Sequence, residues 1–112
     1  MILKNISKDT IISKNLKEAN SLVDLLFGLL RKSNPRSLLF KTRLGIHTFG
    51  LKEPIDVIIL DKNARVVKLC ENLKPNCFFF WNFKYNLVVE LPKETIRKSK
   101  TKVLDKLSKV VI

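Results

Sequence analysis

Apolar positions fall mostly into short runs broken by polar clusters, and only once do they recur at helical spacing. Ile2, Leu3 and Ile6 precede a polar Ser7-Lys8-Asp9 break, and Ile11, Ile12 and Leu16 follow it. Strand-forming residues on either side of a turn triplet predict a hairpin. Leu22, Leu25, Leu26, Leu29 and Leu30 then recur at i, i+3, i+4, i+7 and i+8, the apolar stripe of a 3.6-residue helix. Ser21 is placed to cap this helix, with Asp24 three residues on in a capping-box arrangement. Arg31 and Lys32 suit its C-terminal end, and Ser33-Asn34-Pro35 stops it, so a helix is predicted near residues 21–32. Gly28 within it costs about 1 kcal/mol against Ala and points to close packing on a sheet.

From Leu38 onward the period is that of strands. Leu38 to Phe40 and Ile46 to Phe49 are separated by a short basic turn ending at Gly45. Pro54 opens the run Ile55-Asp56-Val57-Ile58-Ile59-Leu60, which is apolar on both faces and therefore expected to be central and covered on both sides. Asp61 to Ala64 read as a turn and Arg65 to Leu69 as the returning partner. Phe78 to Phe83 and Asn86 to Leu91 are further strands, Pro92 ends the second, and a short helical turn is expected near residues 93–100. Val103 to Ile112 adds a last strand. One helix among seven to nine short strands predicts a mainly β, α+β fold. The expected form is a compact antiparallel sandwich or barrel, a single domain over residues 1–112.

Composition narrows the class. At 112 residues the chain is long enough for one hydrophobic core, and 46% hydrophobic content argues against wholesale disorder. No apolar run reaches the roughly 18 residues that span a bilayer. The opening MILKNISKDT carries no continuous apolar stretch or small-residue cleavage site, so no signal peptide and a cytoplasmic location are expected. The net charge is +12, which attracts nucleic acid, acidic proteins and anionic membranes. Yet 17 of the 22 basic residues are dispersed lysines and only 5 are arginines, whereas nucleic-acid readers concentrate Arg at their contacts. A solvated, composition-driven surface is the expectation and an anionic partner the alternative. Cys70 and Cys77 lie too far apart for a CxxC motif, and a zinc site would require distant His47 and a fourth ligand; reduced thiols are expected and no metal or cofactor is assigned.

Two groups of residues carry candidate chemistry. His47 and Asp56, if on neighbouring strands and one face, would form a pair poised near neutral pH, with Arg43, Lys52 and Glu53 completing a cleft for a small anion. The competing reading makes Asp56 a structural acceptor for backbone N–H groups. The run Phe78-Phe79-Phe80-Trp81-Asn82-Phe83, read as a strand, points Phe78 and Phe80 one way and Phe79, Trp81 and Phe83 the other. The second set is the candidate interaction surface, for an acidic protein, a second copy or stacked bases, against core packing as the plain alternative. No Ser/His/Asp order, HExxH, P-loop or GxGxxG occurs, so an uncharacterised, non-catalytic binding or interaction module is expected and no enzyme.

Ile46-His47-Thr48-Phe49, then Glu53-Pro54 with Ile55 to Asn63, then Val66-Val67, resembles the core signature of the family catalogued as domain of unknown function 192, or uncharacterised protein family UPF0127. Phe27 to Ser33, Leu73-Lys74-Pro75 and Val88 to Pro92 are similar to its GLL-RKS, LKP and VLELP segments, so the resemblance covers roughly residues 10–112. It implies a mostly β sandwich or barrel with one packed helix, and carries over no activity, cofactor or catalytic residue. Three departures stand out. Ala64 ends a turn that commonly ends in Gly, Gly50-Leu51-Lys52 replaces an aromatic or Met, and Lys93-Glu94-Thr95 replaces Ala-Gly-Thr. A left-handed backbone at Ala64 would cost roughly 1 kcal/mol or shift to Asn63.

Overall fold

A computed structural model describes residues 1–19 and 37–111. The helix expected near residues 21–32 lies outside the described residues. Strands β1 (Ile2–Asn5) and β2 (Thr10–Ser13) form the expected hairpin, and β10 (Leu107–Val110) pairs with β1 to complete a three-stranded sheet. A five-stranded sheet contains β3 (Lys17–Glu18), β4 (Leu38–Lys41), β6 (Ile55–Leu60), β7 (Val66–Leu73) and β9 (Leu87–Pro92). Its order is β3-β4-β9-β6-β7. Strands β5 (Ile46–His47) and β8 (Phe78–Phe79) form a separate two-stranded ribbon, and the short helix α1 (Thr95–Ser99) follows β9.

The mainly β, α+β class therefore holds, with two corrections. The sheets are open, so the fold is not a barrel. The pair β3–β4 is parallel, which the long stretch of sequence between Glu18 and Leu38 permits. Three expected strands are also shorter than the apolar runs that suggested them. The strand from Ile46 stops where Thr48 bonds across to Cys77 and the chain turns through Gly50, at φ 84°. The strand from Phe78 gives way to a turn in which Tyr85 N–H meets Asn82 O at 3.0 Å. The last strand waits until Leu107 because Asp105 N–H bonds Lys102 O and Leu104 takes φ 78°.

The apolar alternation of β6 decides the layering. Ile58 and Leu60 face a first core with Val89 and Leu91 of β9, Ile96 of α1, and Leu3, Ile12 and Leu107 of the three-stranded sheet. Val57 and Ile59 face a second core with Val88, Leu38 and Phe40, against which Ile46 and Phe79 of the ribbon pack. Burying each such side chain stabilises by about 1.5–3 kcal/mol; β9 and β7 cover the edges of β6, and the two cores cover its faces.

Asp56 interrupts that alternation at a point of special geometry. The β6–β7 register shifts between Ile55 and Val57, leaving an extra residue on β7, and Asn72 there adopts φ 54°. The N–H freed by this bulge has no ladder partner, and the fully buried Asp56 takes it: Asn72 N–H donates to Oδ1 at 2.9 Å. The other oxygen accepts from Ile96 N–H at 2.8 Å. Helix α1 has no side-chain cap of its own, since Glu94 at its N-cap position sits at φ 72° without a capping bond. Asp56 thus caps α1 from the neighbouring sheet and closes the bulge with the same carboxylate.

Two departures from the family pattern coincide with left-handed backbone. Ala64 has φ 62° and Glu94 φ 72°, at the turns where the family commonly places Gly. Around Ala64 the Asp61 carboxylate compensates, its Oδ1 accepting from Asn63 N–H at 2.8 Å and Arg65 N–H at 3.0 Å. Two stability outcomes follow, measured by urea denaturation. Asp56→Ala orphans the buried Ile96 N–H and the partly buried Asn72 N–H and should cost roughly 2–4 kcal/mol, whereas Ala64→Gly relieves the left-handed strain and should add about 0.5–1 kcal/mol.

Candidate functional site

The ribbon β5–β8 is the most unusual surface among the described residues. Its register sets Ile46 opposite Phe79 and His47 opposite Phe78. Alternation then turns Ile46 and Phe79 toward the second core and leaves the other pair outward. On the outer face His47 and Phe49 have ring centroids 5.1 Å apart, Phe49 meets Phe78 edge-on at 5.0 Å, and Phe78 and Phe80 lie 14° from parallel at 5.9 Å. These are ordinary aromatic contact geometries. Phe49, Phe78 and Phe80 are nonetheless 44%, 61% and 60% exposed, so the rings meet one another and water together.

Local chemistry holds this row in place. Thr48 is fully buried; its hydroxyl donates to Lys74 O at 2.6 Å and accepts from Cys77 N–H at 2.9 Å, while its backbone N–H bonds Cys77 O at 2.9 Å. One threonine therefore locks the end of β5 to the turn that enters β8. Gly45, at φ 90°, lies beneath the Phe80 ring, and a Cβ there would come within 2.5 Å of Phe80 Cδ1 and 3.0 Å of Phe79 O. The Phe80 ring approaches this closely only because Gly45 has no side chain.

Cations frame the row. Arg43 Nη1 donates to Phe83 O at 2.8 Å and Lys84 O at 3.0 Å, pinning the turn that follows β8. Lys68 Nζ donates to Phe80 O at 2.8 Å and lies 4.9 Å from the Phe79 ring centroid. Both charges are bonded to neutral carbonyls. The ion pairs among the described residues use other cations: Lys8 with Asp105, Lys93 with Glu53, Arg97 with Glu94, and Lys109 with Glu18.

The expected cleft of Arg43, His47, Lys52 and Asp56 is not assembled. Asp56 shares the face of β6 that carries Ile58 and Leu60, whereas the ribbon packs on the opposite face with Val57 and Ile59. Strand β6 pairs with β7 and β9, not β5, so His47 and Asp56 are not neighbours across strands. His47 Nδ1 instead accepts the Phe49 N–H at 3.2 Å, Arg43 serves the turn, and Lys52 is exposed in the bend between β5 and β6.

The aromatic run is likewise divided differently from the expected surface of Phe79, Trp81 and Phe83. Phe79 and Trp81 are half-buried against the second core, with Trp81 Nε1 donating to Tyr85 O at 2.8 Å, and only Phe83 is exposed, at 75%. Alternation was right, but the outward set is Phe78 and Phe80. The missed signal lay in the shared parity of His47 and Phe78: once β5 pairs with β8, the face of His47 must be the face of Phe78. Phe49 joins them from the turn after β5.

Cys70 and Cys77 are free and half-buried. Burial, reinforced by the nearby Asp56 charge, pushes the Cys70 thiol up and keeps it protonated. Among the described residues no three of His, Cys, Asp and Glu gather closely enough to hold a metal ion, and no helix is long and apolar enough to cross a membrane.

Beneath the ribbon, on the same side of β9 as Val88, Glu90 pairs in register with Leu38 and Val57. Desolvation in that apolar surrounding pushes its carboxyl up to about 7, from 4.5. A carboxyl whose folded value is raised takes up a proton on folding. Its stability cost is absent below pH 4.5, grows between pH 4.5 and about 7, and is complete above that. Asp105 behaves oppositely. Burial pushes it up, but hydrogen bonds from Asn5, Lys8 and the Lys102 N–H outweigh burial and hold it below 3.8, so its stabilisation is lost only in stronger acid. Urea midpoints should therefore fall between pH 4.5 and pH 8 by an amount on the order of 1–3 kcal/mol. Glu90→Gln should flatten that decline, and an unchanged profile in the variant would assign it to another group.

No family model matches the chain. A UPF0127 protein of Pyrococcus horikoshii is 30% identical to it over 112 residues, spanning 95% of this chain and 96% of that protein. Among solved structures, a protein of unknown function from Novosphingobium aromaticivorans superposes with a TM-score of 0.77 at 14% identity, covering 96% of this chain and 82% of that one. A protein from Sinorhizobium meliloti superposes with a TM-score of 0.71 at 16% identity, covering 96% and 89%. The likeness of these two is one of fold.

Proposed function

The chain belongs to the UPF0127 family, and from that premise, which supplies no reaction, we propose that it is a non-catalytic binding module whose contact surface is the outer face of the β5–β8 ribbon. The observation that carries this reading is the continuous row His47–Phe49–Phe78–Phe80, each ring in contact with the next and facing solvent. Leaving three phenylalanines about half exposed forgoes a substantial part of the 1.5–3 kcal/mol that burial of each would contribute. A patch of this kind on a domain with two filled cores marks a recognition surface.

The absence of catalysis in this reading rests on how the polar groups are used. Asp56 has both oxygens on backbone N–H groups, and His47 stands apart from it on the ribbon. No carboxylate is thereby offered to orient the imidazole as a base. The alternative of a small anion held by Arg43, His47, Lys52 and Asp56 loses its support for the same reason. Location inside the cell belongs to the same proposal and rests on the two reduced, unpaired cysteines.

The test is exposure of the row in the folded protein. The dye bis-ANS should bind the native chain and give an emission increase, and Phe78→Ser with Phe80→Ser should remove most of that increase while the urea midpoint stays within about 0.5 kcal/mol of the parent. Dye binding that survives both substitutions, or a native protein that binds none, would refute the ribbon as the contact surface.

A further inference from the structure

We propose that the partner of the ribbon is single-stranded nucleic acid, with bases stacked on the Phe49, Phe78 and Phe80 rings and phosphates met by cations of the two segments that build it. This rests on the reading of the ribbon as a contact surface and names what binds there. Three features favour this chemistry.

The first is the shape of the surface. Its apolar area is presented as a row of planar rings, two of them nearly parallel, and the π-face of a base stacks on such a ring whatever its sequence. Thr48 and Gly45 hold the row before any ligand arrives, so little ordering cost remains to be met on binding.

The second is charge. Residues 37–52 and 72–89, which contain β5, β8 and their flanking turns, include Lys41, Arg43, Lys52, Lys74 and Lys84 and not one Asp or Glu. These two segments carry +5 of the overall +12, and Glu53, Glu71 and Glu90 stand just outside them. Lys68 adds a further ammonium beside Phe80 from β7. Aromatic rings beside cations are the recurring layout of sequence-tolerant single-strand binders.

The third is the poor fit of other occupants. A second copy would bring two acid-free, cationic surfaces face to face, and like charge at an interface costs several kcal/mol. A duplex offers phosphates but keeps its base faces inside its own stack, so it would use the cations and leave the rings idle. An acidic peptide would match the charge without a use for aligned planar faces.

The probe is fluorescein-labelled oligothymidine of about 15 nucleotides, followed by fluorescence anisotropy across a salt series. Binding is expected with a log–log salt slope of about −2 to −3.5, the signature of three to five neutralised phosphates on a single strand. Phe78→Ala and Phe80→Ala should each weaken it by roughly fivefold to a hundredfold. Lys84→Gln should weaken it with a shallower slope, by about 0.7. A duplex of equal length should bind more weakly and be indifferent to the ring variants. Affinity no tighter than roughly 10⁻⁴ M at physiological salt would overturn the proposal. So would binding that depends on salt but not on the rings, or sedimentation showing that the rings hold two copies together. Because the ring variants are also judged by bis-ANS, a surface that takes the dye but no oligothymidine would sink the nucleic-acid partner and leave the contact surface standing.

Discussion

Strand β6 is apolar on both faces and lies inside the five-stranded sheet, and that obliges the chain to cover the sheet twice. On one side the cover is generous: the three-stranded sheet and α1 close over Ile58, Leu60, Val89 and Leu91. On the other, among the described residues, it includes a ribbon only two residues long per strand. So short a pair has one inward row, Ile46 and Phe79, while Phe78 of its outward row is 61% exposed. The exposed rings are thus a consequence of how the second core is closed, and their retention as Phe instead of polar residues is what calls for a function.

The same strand explains why the most suggestive polar residue is structural. Asp56 occupies the one position of β6 where the register slips, and the bulge on β7 and the uncapped start of α1 both leave an N–H in its reach. A carboxylate with both oxygens engaged by backbone N–H groups is well satisfied without a countercharge. Its role is to join the sheet edge to the helix that closes the first core. Removing it would disturb the fold before it disturbed any ligand.

Charge and aromaticity meet only in three dimensions. Along the chain Lys41, Arg43, Lys52, Lys74 and Lys84 are scattered over more than forty positions. Pairing β5 with β8 brings the two acid-free segments together, so that Phe49 from one and Phe78 and Phe80 from the other share a surface, with Lys68 bonded to Phe80 O beside it. A dispersed lysine content is in this sense no guide to the field at any one patch.

The sequence by itself determined the mainly β class, both hairpins, the turn at Asp61–Ala64 and the short helix after Pro92, because each follows from local alternation and turn chemistry. The family resemblance added that left-handed backbone would fall at Ala64 or shift to Asn63, and the structure has it at Ala64. Tertiary structure alone decided that β3 and β4 run parallel, that the sheets stay open, and that His47 and Asp56 face opposite sides of the five-stranded sheet. It also chose which half of the Phe78–Phe83 run meets solvent. The physical reason is that a strand of period two presents two equivalent faces until a partner is assigned. Only the pairing of Ile46 with Phe79 turned one set inward, leaving Phe78 and Phe80 beside His47 in water.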